Sequence, residues 1–508
     1  MTAARAEFSS ATSEATSNAV DVDVLIVGAG LSGIGAAWYL QQHCPDRSFA
    51  IFEGRLAIGG TWDLFRYPGI RSDSDMYTLG YAFRPWTEAK SIADGPSILH
   101  YVRDTAREAG IEPHIRFGHQ VKRARWSTAD AVWTVEAERQ DNGETVSLRC
   151  RWLHMCSGYY DYAEGYLPDF PGREDFAGEF IHPQFWPEKL DYAGKRVVVI
   201  GSGATAVTLV PEMAKAAAHV TMLQRSPTYV VSRPAEDGVA NWLRAKLPPR
   251  LAYGIARWRN VTMQLFFFQL ARRWPAMIKK QMVKGVSDAL GPDYDVGKHF
   301  TPSYNPWDQR VCLVPDADLF EAIKGGGAEV VTDTIDRLVP DGVRLRSGEL
   351  LKADIIVAAT GLKLQLLSGV EFSVDGQVRR LNEALTYKGL MFSDVPNLSY
   401  SFGYTNASWT LKADLTAGFV CRLLNHLRAS GCQIAVAHRD PGVAEAPFLD
   451  FTSGYVQRAA AILPKQGAIK PWKLNQNYAL DMAALKLGKL DDGVMQFKAR
   501  ARSVEGRA

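Results

Sequence analysis

One local pattern occurs twice in this chain, and it constrains the fold more than any other feature. Val22 to Ile26 is a short apolar run that feeds Gly28-Ala29-Gly30-Leu31-Ser32-Gly33, and an Ala-rich helical stretch follows from Gly35 to Gln42. Lys195-Arg-Val-Val-Val-Ile200 runs in the same way into Gly201-Ser202-Gly203-Ala204-Thr205-Ala206, with Val207 to Ala218 as the expected helix. A further apolar strand closes each unit, at 48–53 and at 219–225. Strand, glycine turn, helix and strand make a βαβ unit, which requires parallel strands and a right-handed crossover. The glycines allow a tight turn and a close approach of backbone to a pyrophosphate, which the helix N-terminus then meets with N–H groups and a positive dipole. Two units imply two bound nucleotides and an α/β fold.

The ends of the closing strands differ. Glu53 lies 25 residues after Gly28, where a carboxylate can accept both hydroxyl hydrogens of a ribose. The second unit ends instead in Gln224-Arg225-Ser226. A guanidinium beside a hydroxyl suits a ribose with a 2′-phosphate, which a carboxylate would repel, so the second nucleotide reads as NADP rather than NAD. The alternative for Arg225 is an ordinary solvated arginine.

At 508 residues, the chain is long enough for two or three domains, each with its own core. Its 58 basic and 55 acidic residues balance too closely to suggest a nucleic-acid partner. The six cysteines show neither a CxxC nor a metal-ligand spacing, so they read as free thiols in a reducing cytoplasm, with no metal site. Met1 to Val20 is rich in Ala, Ser, Thr and Glu and reads as a disordered leader, not a signal peptide. No apolar run is long enough to span a membrane. The nearest approach, Asn260 to Trp274, reads as a buried or domain-packing helix, with peripheral membrane contact as the alternative. Nothing in the sequence fixes an oligomeric state.

Between the two units, Phe176-Ala-Gly178-Glu-Phe-Ile-His182-Pro-Gln-Phe-Trp186-Pro187 fits the pattern FxGxxxHxxxW(P/D) at every fixed position. With it, the chain resembles the Baeyer–Villiger monooxygenases, a family of flavoprotein monooxygenases. The segments Gly59 to Tyr77, Tyr304 to Arg310 and Gly403 to Thr410 are similar to the branch that includes ethionamide-activating monooxygenases. The resemblance covers about 22–478 and is weakest in a Trp-, Arg- and Phe-rich stretch after Pro227 that reads as a helical insertion.

The resemblance implies two Rossmann-like dinucleotide-binding domains, one for FAD and one for NADP, with that insertion. After a leader at 1–20, the FAD domain takes 21–165 and 366–508, the NADP domain takes 166–229 and 304–365, and the insertion takes 230–303. It places FAD against Gly28, Gly30, Gly33, Glu53, Thr61, Trp62, Asp73 and Val121. NADPH falls to Gly201, Gly203, Ala206, Arg225, Ser226, Gln309, Thr360 and Gly361. Many relatives carry Lys where this chain has Gln309, so NADPH preference rests more heavily on Arg225. Phe176, Gly178, His182 and Trp186 are the motif positions, with His182 acting through domain linkage.

The implied catalytic residues are Arg310 and Asp73. In the reaction the resemblance implies, NADPH would reduce the flavin, O2 would add to it as a peroxide, and one oxygen atom would pass to a ketone or a sulfide. A guanidinium keeps its charge at any working pH, which suits Arg310 to a place beside a peroxide anion, with Asp73 orienting it. Trp409, the loop in the 360s and the Trp472 to Tyr478 region are expected to shape the substrate pocket. The closest alternative is a flavin-containing N- or S-oxygenating monooxygenase, disfavoured by Trp186-Pro187. A pyridine-nucleotide disulfide oxidoreductase is more remote, because Cys150 and Cys156 form no CxxC turn. A cofactor-binding interaction module and a pure NADPH oxidase complete the alternatives.

Overall fold

The computed structural model describes residues 20–449 and 453–500, so the leader, apart from Val20, lies outside the described residues. The strand Val22–Val27 runs parallel to Phe49–Phe52 on one side and to the end of Thr145–Met155 on the other. It is apolar along nearly its whole length because both of its faces are covered, as in any interior parallel strand. Thr145–Met155 serves two structures. Its first half pairs antiparallel with Val132–Arg139, which pairs in turn with His119–Ser127. Its last residues pair parallel with Leu398–Tyr400, and Glu371–Val374 joins His119–Ser127. Strands from beyond residue 366 therefore complete the first sheet.

The second sheet has five parallel strands in the order Ala328–Thr332, His219–Gln224, Arg196–Ile200, Ile355–Ala358 and Glu179–Ile181. Its first helix spans Ala204–Met213, not 207–218. It starts at the glycine turn itself. It ends early because the chain must turn back for the Ala218 N–H to reach the Lys195 carbonyl, which sets His219 opposite Arg196.

The helical segment begins after the strand Tyr229–Arg233 rather than at 230, since that strand pairs parallel with Val311–Pro315. Its principal helices are Gly238–Lys246, Pro249–Arg273 and Pro275–Leu290, the last two opened by prolines whose fixed φ suits a first helical turn. Arg257 anchors the segment to the first half. It is buried against Asp414 at 3.3 Å and donates to the carbonyls of Tyr77 and Gly80. An ion pair this deeply buried survives only when further hydrogen bonds offset its desolvation, and those two carbonyls supply them.

Two connections between the halves lie side by side, Tyr160–Gly165 pairing antiparallel with Leu362–Leu364. His182 locks this ribbon. Its Nε2 donates to the Gly361 carbonyl at 3.2 Å, while its Nδ1 accepts from the Gln184 N–H. Only glycine fits at position 165, because a Cβ there would stand 2.1 Å from the imidazole. Gly178 is pressed on the Asp354 carbonyl, Phe176 is buried in the core beneath the second sheet, and Trp186 packs at that sheet's other face.

Burial holds the His182 imidazole below its ordinary pKa. As pH falls below about 6.5 the unfolded chain takes up a proton that the folded chain resists, so His182 withdraws stability on the acid side. Denaturant unfolding at a series of pH values should show His182→Gln losing less stability than the parent between about pH 7 and 5. Parallel profiles would remove His182 as the cause.

Candidate cofactor and active site

The first glycine turn is built against the neighbouring strand end. Gly28 has φ +106°, and a Cβ there would stand 2.6 Å from the Cys156 carbonyl oxygen. Gly33 is pressed more closely still, 1.8 Å from the Gly28 oxygen by the same measure. Gly30 caps the helix Leu31–His43 and faces Gly60, while the Gly59 N–H donates to the Ala29 carbonyl. Thr61 and Trp62 open the short helix after this glycine pair, and Thr61 approaches the Tyr162 hydroxyl at 3.5 Å.

Glu53 is buried, and backbone already engages both of its oxygens. One accepts from the Ala29 N–H at 2.6 Å and the other from the Arg55 N–H at 2.8 Å. The carboxylate therefore clamps the glycine turn to the strand end and keeps only its remaining lone pairs for a ligand. Desolvation raises its pKa, and these two N–H groups oppose the rise. Val121 is buried in the strand His119–Ser127, whose His119 N–H donates to the Glu53 carbonyl.

Several residues around the turn escaped the sequence reading. Asp63 is ringed by Arg55, Arg66 and Arg103 at 2.6–3.0 Å, which leaves the cluster net cationic. The Ser157 hydroxyl and the Arg55 Nε are buried with no protein partner among the described residues. Cys156-Ser-Gly158 offered a signal for the former, since it closes its strand as Ala359-Thr-Gly361 closes its own.

The second turn repeats the construction. Gly201 has φ +137° and a Cβ there would meet the Ala359 carbonyl at 2.3 Å, whereas Gly203 opens onto free space at the helix N-terminus. Ala206 is fully buried. Arg225 and Ser226 are exposed just beyond the strand His219–Gln224. The Thr360 hydroxyl donates to the Tyr166 carbonyl and Gly361 receives His182, so both belong to the connecting ribbon. Gln309 forms an isolated bridge with Pro306 beside Arg310.

Residues 53–75 lead from the first turn to the second. Tyr67 hydrogen-bonds Thr205, and Gly69, at φ +74°, rests on Glu212 of the second unit's first helix. Beyond that contact Arg71 pairs with Asp318 at 2.5 Å, and Asp73 meets Arg310 at 3.2 Å. Arg310 immediately precedes Val311–Pro315, and Cys312 on that strand lies 3.9 Å from the Ser202 carbonyl of the second turn. The fold thus sets Arg310 beside the second glycine turn. Desolvation raises the Asp73 pKa, and Arg310 first and then Arg71 pull it back.

Of the region expected to shape the substrate pocket, Leu474, Asn475 and Gln476 line a small cavity together with Phe402 and Gly403. Trp409 donates to the Ser32 hydroxyl at 2.7 Å and stacks on Tyr159, which ties it to the first turn's helix. Trp472 is a core residue packed against Tyr387 because its bulk fills the space beneath the first sheet. Cys150 and Cys156 are buried, and desolvation pushes both thiols up, which leaves them poor redox thiolates.

Two family models match the chain: an NAD(P)-binding Rossmann-like domain over 26–92 and a flavin-binding monooxygenase-like family over 90–246. The FAD-containing monooxygenase EthA of Mycobacterium tuberculosis strain H37Rv is 55% identical over 486 residues, covering 95% of this chain and 99% of EthA. The probable FAD-binding monooxygenase AlmA of an Acinetobacter species is 48% identical over 489 residues, 96% of this chain and 98% of AlmA. Among solved structures, an oxidized steroid monooxygenase bound to NADP matches with a TM-score of 0.74 at 21% identity, covering 94% of this chain and 99% of that one. A cyclohexanone monooxygenase with bound epsilon-caprolactone matches at 0.71 and 20%, covering 94% and 99%, so the fold is shared with both. With EthA and AlmA aligned along nearly its full length, this chain belongs to the family of FAD-containing monooxygenases.

Proposed function

We propose that this protein is a Baeyer–Villiger-type monooxygenase that uses FAD and NADPH to insert one oxygen atom of O2 into a ketone, giving an ester or lactone, and that oxidises sulfides at the same site. The observation that carries this reading is the pairing of Arg310 with Asp73 across the two halves, beside the second glycine turn. FAD belongs to 21–165 with 366–508, and NADPH to 166–229 with 304–365.

The residues fit both groups. For FAD, a Cβ at Gly60 would press on Gly30 at 3.2 Å, and the Ser157 hydroxyl and Arg55 Nε are buried without a protein partner among the described residues, Arg55 within the cationic ring around Asp63. For NADPH, the open face of Gly203 admits a pyrophosphate to the helix N-terminus, and Arg225 with Ser226 receives the 2′-phosphate. Bound flavin supplies electron transfer and oxygen activation.

The chain's own contribution is placement and charge. Arg310 keeps its proton at any working pH and offers a planar fork of donors to a developing anion. Asp73 fixes the direction of that fork, and the Arg71–Asp318 pair steadies the backbone that carries Asp73. Asp73 is a positioning residue here, since it acts through Arg310.

Turnover of a ketone and sulfide panel in isotopically labelled O2 tests the reading. One labelled atom should enter each product, and NADPH should outperform NADH. NADPH consumption with no label in any product would mark an oxidase instead. Arg310→Ala should keep its yellow FAD while product formation falls by about 10²- to 10³-fold, as for other lost anion donors. An unchanged rate would dismiss Arg310 from the chemistry. Arg225→Ala should raise the KM for NADPH by about tenfold or more while leaving that for NADH nearly unchanged, the scale of one charge-assisted hydrogen bond. An equal shift for both nucleotides would refute the 2′-phosphate assignment.

A further inference from the structure

The helix Pro249–Arg273 carries apolar side chains on both faces, with Ala252, Tyr253, Ala256 and Val261 turned inward beside a few polar ones. The polar ones are Arg257 on Asp414, Asn260 on Asp75, and Gln264 on Asp75. Its outward stripe, at helical spacing, is Leu251, Ile255, Trp258, Met263 and Phe266, all substantially exposed. At about 1.5 Å per residue this stripe runs about 22 Å. Trp242 on the preceding helix adds to the same segment and is 61% exposed. Of the 18 large exposed hydrophobics among the described residues, 10 fall between Val239 and Met277, so the apolar surface is concentrated rather than scattered. Concentrated apolar surface of this kind marks a docking face.

The charge on the same segment selects the partner. From Gly238 to Ser287 there are ten lysines and arginines and no aspartate or glutamate, while the whole chain nets only +3. Arg257, Arg259, Arg272 and Lys284 have carboxylate partners. Among the described residues Lys246, Arg250, Arg273 and Lys280 have no carboxylate partner, and they flank the apolar stripe at both ends.

We infer that the face formed by Gly238–Lys246, Pro249–Arg273 and Pro275–Leu290 docks on the surface of an anionic lipid bilayer. The apolar stripe enters the headgroup boundary and the cations meet lipid phosphates, with tryptophan at the depth it favours. A second copy of the chain fits the charge poorly, since a two-fold interface sets each patch against itself and brings like charges together. No helix among the described residues is long and apolar enough to cross a membrane, so the contact is peripheral. The docked face lies next to the loop of Arg310, through Arg272 on Asp308 at 3.0 Å and Phe268 against Trp307.

Vesicle flotation of the full-length, FAD-loaded protein tests this inference. Vesicles of phosphatidylcholine mixed with phosphatidylglycerol should carry the protein up the gradient, and phosphatidylcholine alone should do so at least about tenfold less well. Phe266→Asp should bind about tenfold more weakly with its flavin content and unfolding temperature unchanged. The double change Lys246→Glu and Arg250→Glu should abolish the preference for anionic vesicles. Protein left at the bottom with every vesicle, equal binding to both compositions, or parental binding by Phe266→Asp would each overturn the inference. Sedimentation showing a dimer that Phe266→Asp dissociates, with no vesicle binding, would assign the face to a second copy.

Discussion

In each half of the molecule, the carbonyl oxygen of the residue just past one strand occupies the space where a side chain would begin on the first glycine of the adjacent turn. Cys156 does this to Gly28 and Ala359 to Gly201, with both glycines at positive φ. Only a residue without Cβ can satisfy the geometry and the contact together. Much follows from that closeness. The turn lies flat on the sheet, the helix starts at once, and its first N–H groups point at the space a diphosphate takes. The same strand ends deliver Ser157 to the first turn and the Thr360–Gly361 ribbon to the second. Strand termination, nucleotide position and the connection between halves therefore share one cause.

The space beside the second turn is organised by alternating charge. Asp318 holds Arg71, and Asp73 holds Arg310, on backbone that Tyr67 and Gly69 press onto the second unit. Side chains from both halves thus keep their geometry before any ligand arrives, which is the condition for electrostatic stabilisation without reorganisation.

Both glycine turns and the acid at 53 were legible in the sequence because backbone geometry demands particular residues at particular spacings. The pairing of Asp73 with Arg310, 237 residues apart, was legible only through resemblance, since no local rule links them. Other features left no pattern to read. Glu53 looks like a ligand acceptor in sequence, yet its oxygens also serve the Ala29 and Arg55 N–H groups. Asp318, and the three arginines converging on Asp63, come together only through tertiary folding. The helix Pro249–Arg273 is the clearest case. Periodicity reveals a helix over residues 251–267, but not which side chains face inward, and the usual assumption buries the large apolar ones. Here Arg257 and Asn260 share the interior with Ala252, Tyr253, Ala256 and Val261, because Asp414 and Asp75 receive them there, and larger apolar side chains are left outside.

The order of synthesis acquires a meaning from the way the first sheet is completed. Met155 pairs with Tyr400, 245 residues later, so one edge of Thr145–Met155 stays open until that distant segment leaves the ribosome. At translation speeds of about 5–20 residues per second, the delay is about 12–50 s. Meanwhile the second sheet, whose strands all fall between Glu179 and Ala358, can close by itself. The half that begins first is finished last, and its nascent edge is the stretch most in need of a chaperone.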